Sequence, residues 1–200
     1  MSNYKRPDVP TLVIVRGIPG SGKSHLAIAL GDSLGMDSVV ILDPDATDYS
    51  SKNYTDLSHA LTTEGVDAKF HPYRFLRMNA YEAIAAHKIV IWNQGFIDLD
   101  GFSKTVNNLQ AYAADHSTTL PTLVVEVEID ADTARARIAE RVAQGKHDVP
   151  DEAFRRFVDN YASFSDKGYT TVRVSGEGDT TTAVSSIVDA LSKLWNNEKN

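Results

Sequence analysis

Thr11-Leu12-Val13-Ile14-Val15-Arg16-Gly17-Ile18-Pro19-Gly20-Ser21-Gly22-Lys23-Ser24 decides the fold. A β-branched apolar run of strand length stops at a glycine, and the eight residues that follow have the spacing G-x-x-x-x-G-K-[ST]. Gly17, Gly20 and Gly22 let the backbone curl so that successive N–H groups face one point, and a helix starting there adds the positive end of its dipole. The helix is legible in Leu26, Ala27, Leu30 and Leu34, and Gly35 stops it. Strand, glycine turn and helix in that order form a cradle for phosphates. Lys23 is placed to reach the β- and γ-phosphates, and Ser24 to offer its hydroxyl to Mg2+.

Outward from the cradle, residues 38–42, 88–92, 120–129 and 169–174 read as four further strands. Residues 69–87, 101–116, 130–142, 151–164 and 180–195 read as helices between and after them. Alternating strands and helices predict an α/β fold: a doubly wound, five-stranded parallel sheet with helices on both faces and ligands at the carboxyl ends of the strands. In the fourth strand, Val125, Val127 and Ile129 alternate with Glu126 and Glu128, which predicts one partly exposed face. The 200 residues fit a single domain, with no internal repeat or dividing linker. A net charge of −7 argues against nonspecific binding to nucleic acid or an anionic membrane. Zero cysteines exclude disulfides, thiolate metal sites and a cysteine nucleophile, and apolar runs as short as 12–15 and 89–92 neither span a bilayer nor form a leader; a cytoplasmic protein is expected. The six histidines lack the spacing of a zinc site.

The second strand runs into Asp43-Pro44-Asp45, expected at the neighbour position facing the γ-phosphate. Two carboxylates there can divide two tasks, one accepting the proton of an attacking hydroxyl and the other holding the hydration shell of Mg2+. The third strand ends in Asn93-Gln94, where an acid near the metal would be expected; Asn93 is a neutral group able to orient a metal-bound water or a substrate hydroxyl. Arg135, Arg137 and Arg141 share a helix ahead of the hinge 144–150, a pattern that suits a lid over about 135–160 bringing guanidinium groups onto the transferred phosphoryl, with Lys146 and His147 as further members. Arg74 and Arg77, on the helix after Pro72, are candidates for an anionic acceptor, and Lys104 could join them in a local basic patch. Trp92 and Trp195 read as packing residues.

Residues 12–24 followed by Asp43-x-Asp45 resemble the P-loop kinases grouped around phage polynucleotide kinase and the zeta toxins. The segment 141–159, with Gly145-x-x-x-Val149-Pro150 and a helix after it, is similar to the lid of the polynucleotide kinase branch. His71-Pro72-Tyr73-Arg74 through Met78, Glu82 and Ala83-Ile84 looks like the substrate-side helix of the zeta toxins. The resemblance covers most of the chain. It implies ATP and Mg2+ as cofactors and transfer of the γ-phosphoryl to a hydroxyl of a small molecule, nucleotide sugar or nucleic-acid 5′ end. Asp45 would be the general base, with Lys23 and Arg141 as the other catalytic residues. Gly17, Pro19, Gly20, Ser21, Gly22, Lys23, Ser24, Arg137 and Arg141 would hold ATP. Ser24 and Asp43 would hold the metal, and Asp43, Asp45, Arg74, Arg77 and Asn93 would face the acceptor. Asn93 departs from the acid common at that position. A nucleotide-dependent switch or assembly NTPase, and a P-loop protein that binds without turnover, are the competing readings; the lack of an N-K-x-D motif counts against the first.

Overall fold

A computed structural model describes residues 9–145 and 148–197; Lys146 and His147 lie outside the described residues. Five strands, β1 (Thr11–Arg16), β2 (Val39–Leu42), β3 (Ile89–Asn93), β4 (Thr122–Glu128) and β5 (Thr170–Ser175), form one parallel sheet in the order β2-β3-β1-β4-β5. The helices are α1 (Lys23–Leu34), α2 (Lys52–Thr63), α3 (His71–Ala85), α4 (Leu99–Asp115), α5 (Ala131–Ala143), α6 (Asp151–Asn160) and α7 (Thr180–Asn197). Among the described residues no helix is long and apolar enough to cross a membrane.

Strand β1 is buried along its whole length because it is central and covered on both faces. Its pleat sends Val13 and Val15 into a core with Leu26, Leu30, Ile187 and Leu191 of α1 and α7. Leu12 and Ile14 enter the opposite core, with Leu76, Ile84, Phe102 and Leu109 of α3 and α4. A third, small cluster joins Ile18 of the cradle to Ala134 and Ile138 of α5 and Phe154 of α6, so the arm formed by these two helices is packed directly on the phosphate loop.

Four expectations change. Strand β2 is not the neighbour of β1, since β3 lies between them; the carboxylates after β2 therefore approach the cradle across the end of β3. Helix α2 is an unanticipated element: it buries Leu61 alone, too little for an apolar stripe, and starts at Ser51, whose hydroxyl accepts from Tyr54 N at 3.4 Å. Helix α6 stops at Asn160, and the next four residues turn inward instead. Glu126 is 1% exposed, because Arg16, itself fully buried, donates Nη1–H to its Oε1 at 2.6 Å. The same carboxylate accepts from Phe164 N and Ser163 Oγ, both at 2.7 Å, while Arg16 donates to Ala162 O and Phe96 O, both at 2.8 Å. These competing bonds are what draw 161–164 away from helical geometry. The guanidinium lies between two rings, 4.2 Å from the centroid of Tyr161 and 3.6 Å from that of Phe164.

Candidate active site

The cradle occupies the turn between β1 and α1. Gly20 has φ +83°, and a Cβ there would run into the carbonyl of Ala134, so only glycine allows both the turn and the close approach of α5. Gly22, at φ +93°, is the N-cap of α1 and supplies no side-chain acceptor, which leaves the first N–H groups of the helix directed at the mouth of the loop. Ser21 is buried with its Oγ unpartnered. Pro19 is half-buried in the same turn.

Ser24, Asp43 and Asn93, distant in sequence, meet beside the cradle. Ser24 Oγ donates to Asp43 Oδ2 at 2.9 Å, and Asn93 Nδ2 donates to that oxygen at 2.6 Å and to Ser24 Oγ at 2.9 Å. Asn93 Oδ1 is buried and unpartnered. The other oxygen of Asp43 accepts the N–H of Asp45 at 2.9 Å, and its carbonyl accepts from Thr47 Oγ1 at 2.7 Å, which shapes the Asp-Pro-Asp turn. Asp43 is consequently tied down. Asp45 is exposed and its carboxylate makes no side-chain hydrogen bond among the described residues. A set of hydroxyl and carboxylate oxygens suits a hard, mostly hydrated cation such as Mg2+, which takes one or two protein ligands together with phosphate oxygens. Asn93 faces these oxygens with its Nδ2, which fixes Ser24 and Asp43 relative to each other.

Lys23 donates to Ile18 O at 2.9 Å across its own loop. Burial lowers its pKa to about 8; Asp45 first and Asp43 next push it back up, and the positive charge of Arg141 lowers it. Lys23, Asp43, Asp45 and Arg141 thus share one local field. Arg137 donates to Gly176 O at 2.8 Å, and its Nη1 is 4.0 Å from the Cβ position of Gly22, at the edge of the cradle. Arg141 is exposed one turn further along α5. Arg135 faces away from the phosphate loop: it donates to Val149 O at 2.8 Å, pairs with Asp148 at 3.7 Å and with Asp151, and so fastens α5 to the start of α6.

Arg74 and Arg77 stand apart from the cradle, in the wall of a cavity of about 630 Å3. Gln94 lines this cavity, whereas its neighbour Asn93 faces the cradle, so the end of β3 serves both sides. Sequence reasoning missed Arg16, Glu126, Gly176 and the cavity residues Arg156 and Phe157. Arg16 carried a weak signal, since an arginine ending a strand that is apolar on both faces needs a buried acid if it is itself buried, as it is here.

The chain matches the AAA_33 profile, described as an AAA domain, over residues 12–164. No curated protein matches it. Its fold is similar to that of a gluconokinase from Sinorhizobium meliloti 1021, with 16% identity, TM-score 0.59, and 95% of this chain and 96% of that one covered. It is similar also to deoxyadenosine kinase from M. mycoides, with 17% identity, TM-score 0.52, and coverage of 92% and 99%. A structure of the PezAT toxin-antitoxin system of Streptococcus pneumoniae aligns with 14% identity, TM-score 0.61, and coverage of 96% and 80%.

Proposed function

The chain belongs to the AAA_33 family and has the P-loop kinase fold, and from that premise we propose that it is an ATP-dependent phosphotransferase acting on a hydroxyl. The observation that carries this reading is the meeting of Ser24, Asp43 and Asn93 beside a lysine-bearing phosphate loop, with the unbonded carboxylate of Asp45 in the same field. When bound, ATP with Mg2+ supplies the transferable phosphoryl and neutralises part of its charge. Ser24 and Asp43 would hold the metal side, with Asn93 fixing those two side chains, and Lys23 would supply positive charge to the phosphates. Arg137 and Arg141 bring positive charge from α5 onto the phosphates.

Asp45 takes the proton of the acceptor hydroxyl as the oxygen forms its bond to the γ-phosphorus. The bond from that phosphorus to the β,γ-bridging oxygen breaks, and ADP leaves with the electron pair. The helices α5 and α6 act as a lid that excludes water. A cytoplasmic setting is part of the reading, and a chain without cysteine is compatible with a reducing compartment. Gluconate and deoxyadenosine, suggested by the names of the similar gluconokinase and deoxyadenosine kinase, belong on the panel that tests the transfer.

The experiment measures ADP release from ATP and Mg2+ with sugar acids, nucleosides, nucleotides and 5′-hydroxyl oligonucleotides, for the wild type and Asp45→Asn. Acceptor-dependent release, reduced by about 10²-fold or more in the variant while ATP affinity persists, is the expected result. ATP binding without release for any acceptor would leave a nucleotide-binding protein and remove the transfer step.

A further inference from the structure

Resting on the phosphotransferase reading, we infer that the acceptor is a mononucleotide-sized molecule carrying both a phosphate and a planar ring, bound in the cavity between α3, α4 and α6. The charge of this cavity is opposite to that of the chain. Its walls carry Arg74, Arg77, Lys104 and Arg156 against one carboxylate, Asp98, in a protein of net charge −7. Asp98 is already committed, since it caps α4 by accepting from the N–H groups of Asp100 at 3.2 Å and Gly101 at 2.9 Å. None of the four cations forms an ion pair with a carboxylate among the described residues, whereas Arg16, Arg135 and Arg173 all do. Four cations brought from three helices to one concave surface without counter-charge repel one another unless an anion joins them. Guanidinium pairs are the groups best suited to phosphate oxygens.

The second half of the inference comes from the rings. Phe70 and Tyr73 are each 50% exposed, on the turn and helix that open the cavity, and Phe157 and Trp92 stand further in. Exposed aromatic faces beside arginines match a base, which stacks on both. A sugar acid would use the cations and leave the rings wet; a nucleoside would do the reverse. The volume of about 630 Å3 lies within the range of about 300–1,000 Å3 for small-ligand sites, enough for a mononucleotide. The phosphate is the part that is held, and the reacting hydroxyl is on the sugar.

Calorimetric titrations of the full chain test this with the phosphate loop saturated by Mg2+ and a non-hydrolysable ATP analogue, so that only the cavity is available. Uridine 5′-monophosphate and adenosine 3′-monophosphate are the probes; uridine, adenosine, ribose 5-phosphate and gluconate are the comparisons. At least one nucleotide is expected to bind tenfold or more tightly than its nucleoside and than ribose 5-phosphate. Arg74→Gln combined with Arg77→Gln should erase the preference over the nucleoside, and Tyr73→Ala the preference over ribose 5-phosphate, with thermal melts checking the fold. Should the double variant not fold, Lys104→Gln, an exposed site, reads the same preference. Equal binding of nucleosides overturns the phosphate, equal binding of ribose 5-phosphate overturns the ring, and tightest binding of gluconate or no nucleotide binding overturns both. Nucleotide binding with no ADP release once ATP replaces the analogue would support the cavity assignment and sink the transfer reading; ADP release driven by gluconate alone would do the opposite.

Discussion

The two sides of β3 solve opposite problems. On the cradle side, Asn93 closes a ring of hydrogen bonds with Ser24 and Asp43 that holds these three side chains to one another. On the cavity side, Gln94 opens onto cations and rings that the protein itself leaves uncompensated. The cradle is made of backbone and a few local side chains, so its shape exists before any ligand arrives. The cavity is assembled from separate helices, and its character depends on side chains that can change without disturbing the loop. A fold organised in this way can keep one donor and vary the acceptor.

The largest effect should come from the frame that both sides share. Glu126→Leu leaves Arg16 buried without its acid and is expected to cost about 3–5 kcal/mol in urea unfolding, blurring donor and acceptor binding together. The double variant Arg16→Met with Glu126→Leu should recover most of the loss, and failure to recover it would mean that the bonds to Ala162 and Phe96 matter more than the pair.

Next, Lys23→Ala sharpens the contrast: kcat/KM should fall by about 10²–10³-fold while acceptor affinity in the cavity is unchanged. A parallel loss in acceptor binding would join the two regions that are separated here. Asn93→Ala is expected to raise the Mg2+ concentration needed for half-maximal activity by about tenfold, as for other groups that position a metal's ligands. No shift in the Mg2+ requirement would place Asn93 outside the metal's surroundings.

The smallest effect is one of pH. The free Lys23 has a pKa of about 8, and its ammonium is the form that binds phosphate. Donor affinity should therefore weaken as pH rises above about 8, by at most tenfold per unit. Acceptor affinity, resting on guanidinium groups, should stay level between pH 7.5 and 9. Isothermal titrations of the two sites across that range decide it; a level donor curve would show that Lys23 keeps its proton throughout.

How legible each part was in the sequence follows the same division. Residues 17–24 were readable because a phosphate loop is contiguous and its glycines have steric causes. Asp43 and Asp45 were readable as a pair, but the strand order was not, because nothing in a parallel strand's composition says which neighbour it takes. Asn93 looked like a defect in sequence, and its role in the ring with Ser24 and Asp43 depends on that unread order. Arg74, Arg77 and Lys104 were legible as a possible basic patch, while Arg156 and Phe157 join them only through the packing of α6. Glu126 was misplaced because alternation of charge along a strand looks the same whether the charged face meets water or a buried arginine.

The amide of Phe164 lies in a segment without regular structure, yet it donates to a buried carboxylate oxygen of β4. Freeing that proton would strip a partner from a carboxylate that has almost no access to water. In hydrogen-exchange terms, this irregular stretch should behave like a core strand, with Phe164 exchanging as slowly as the amides of β1. The exit of the arm is then clasped for the life of the folded state, and any opening must be taken up nearer the end of α5.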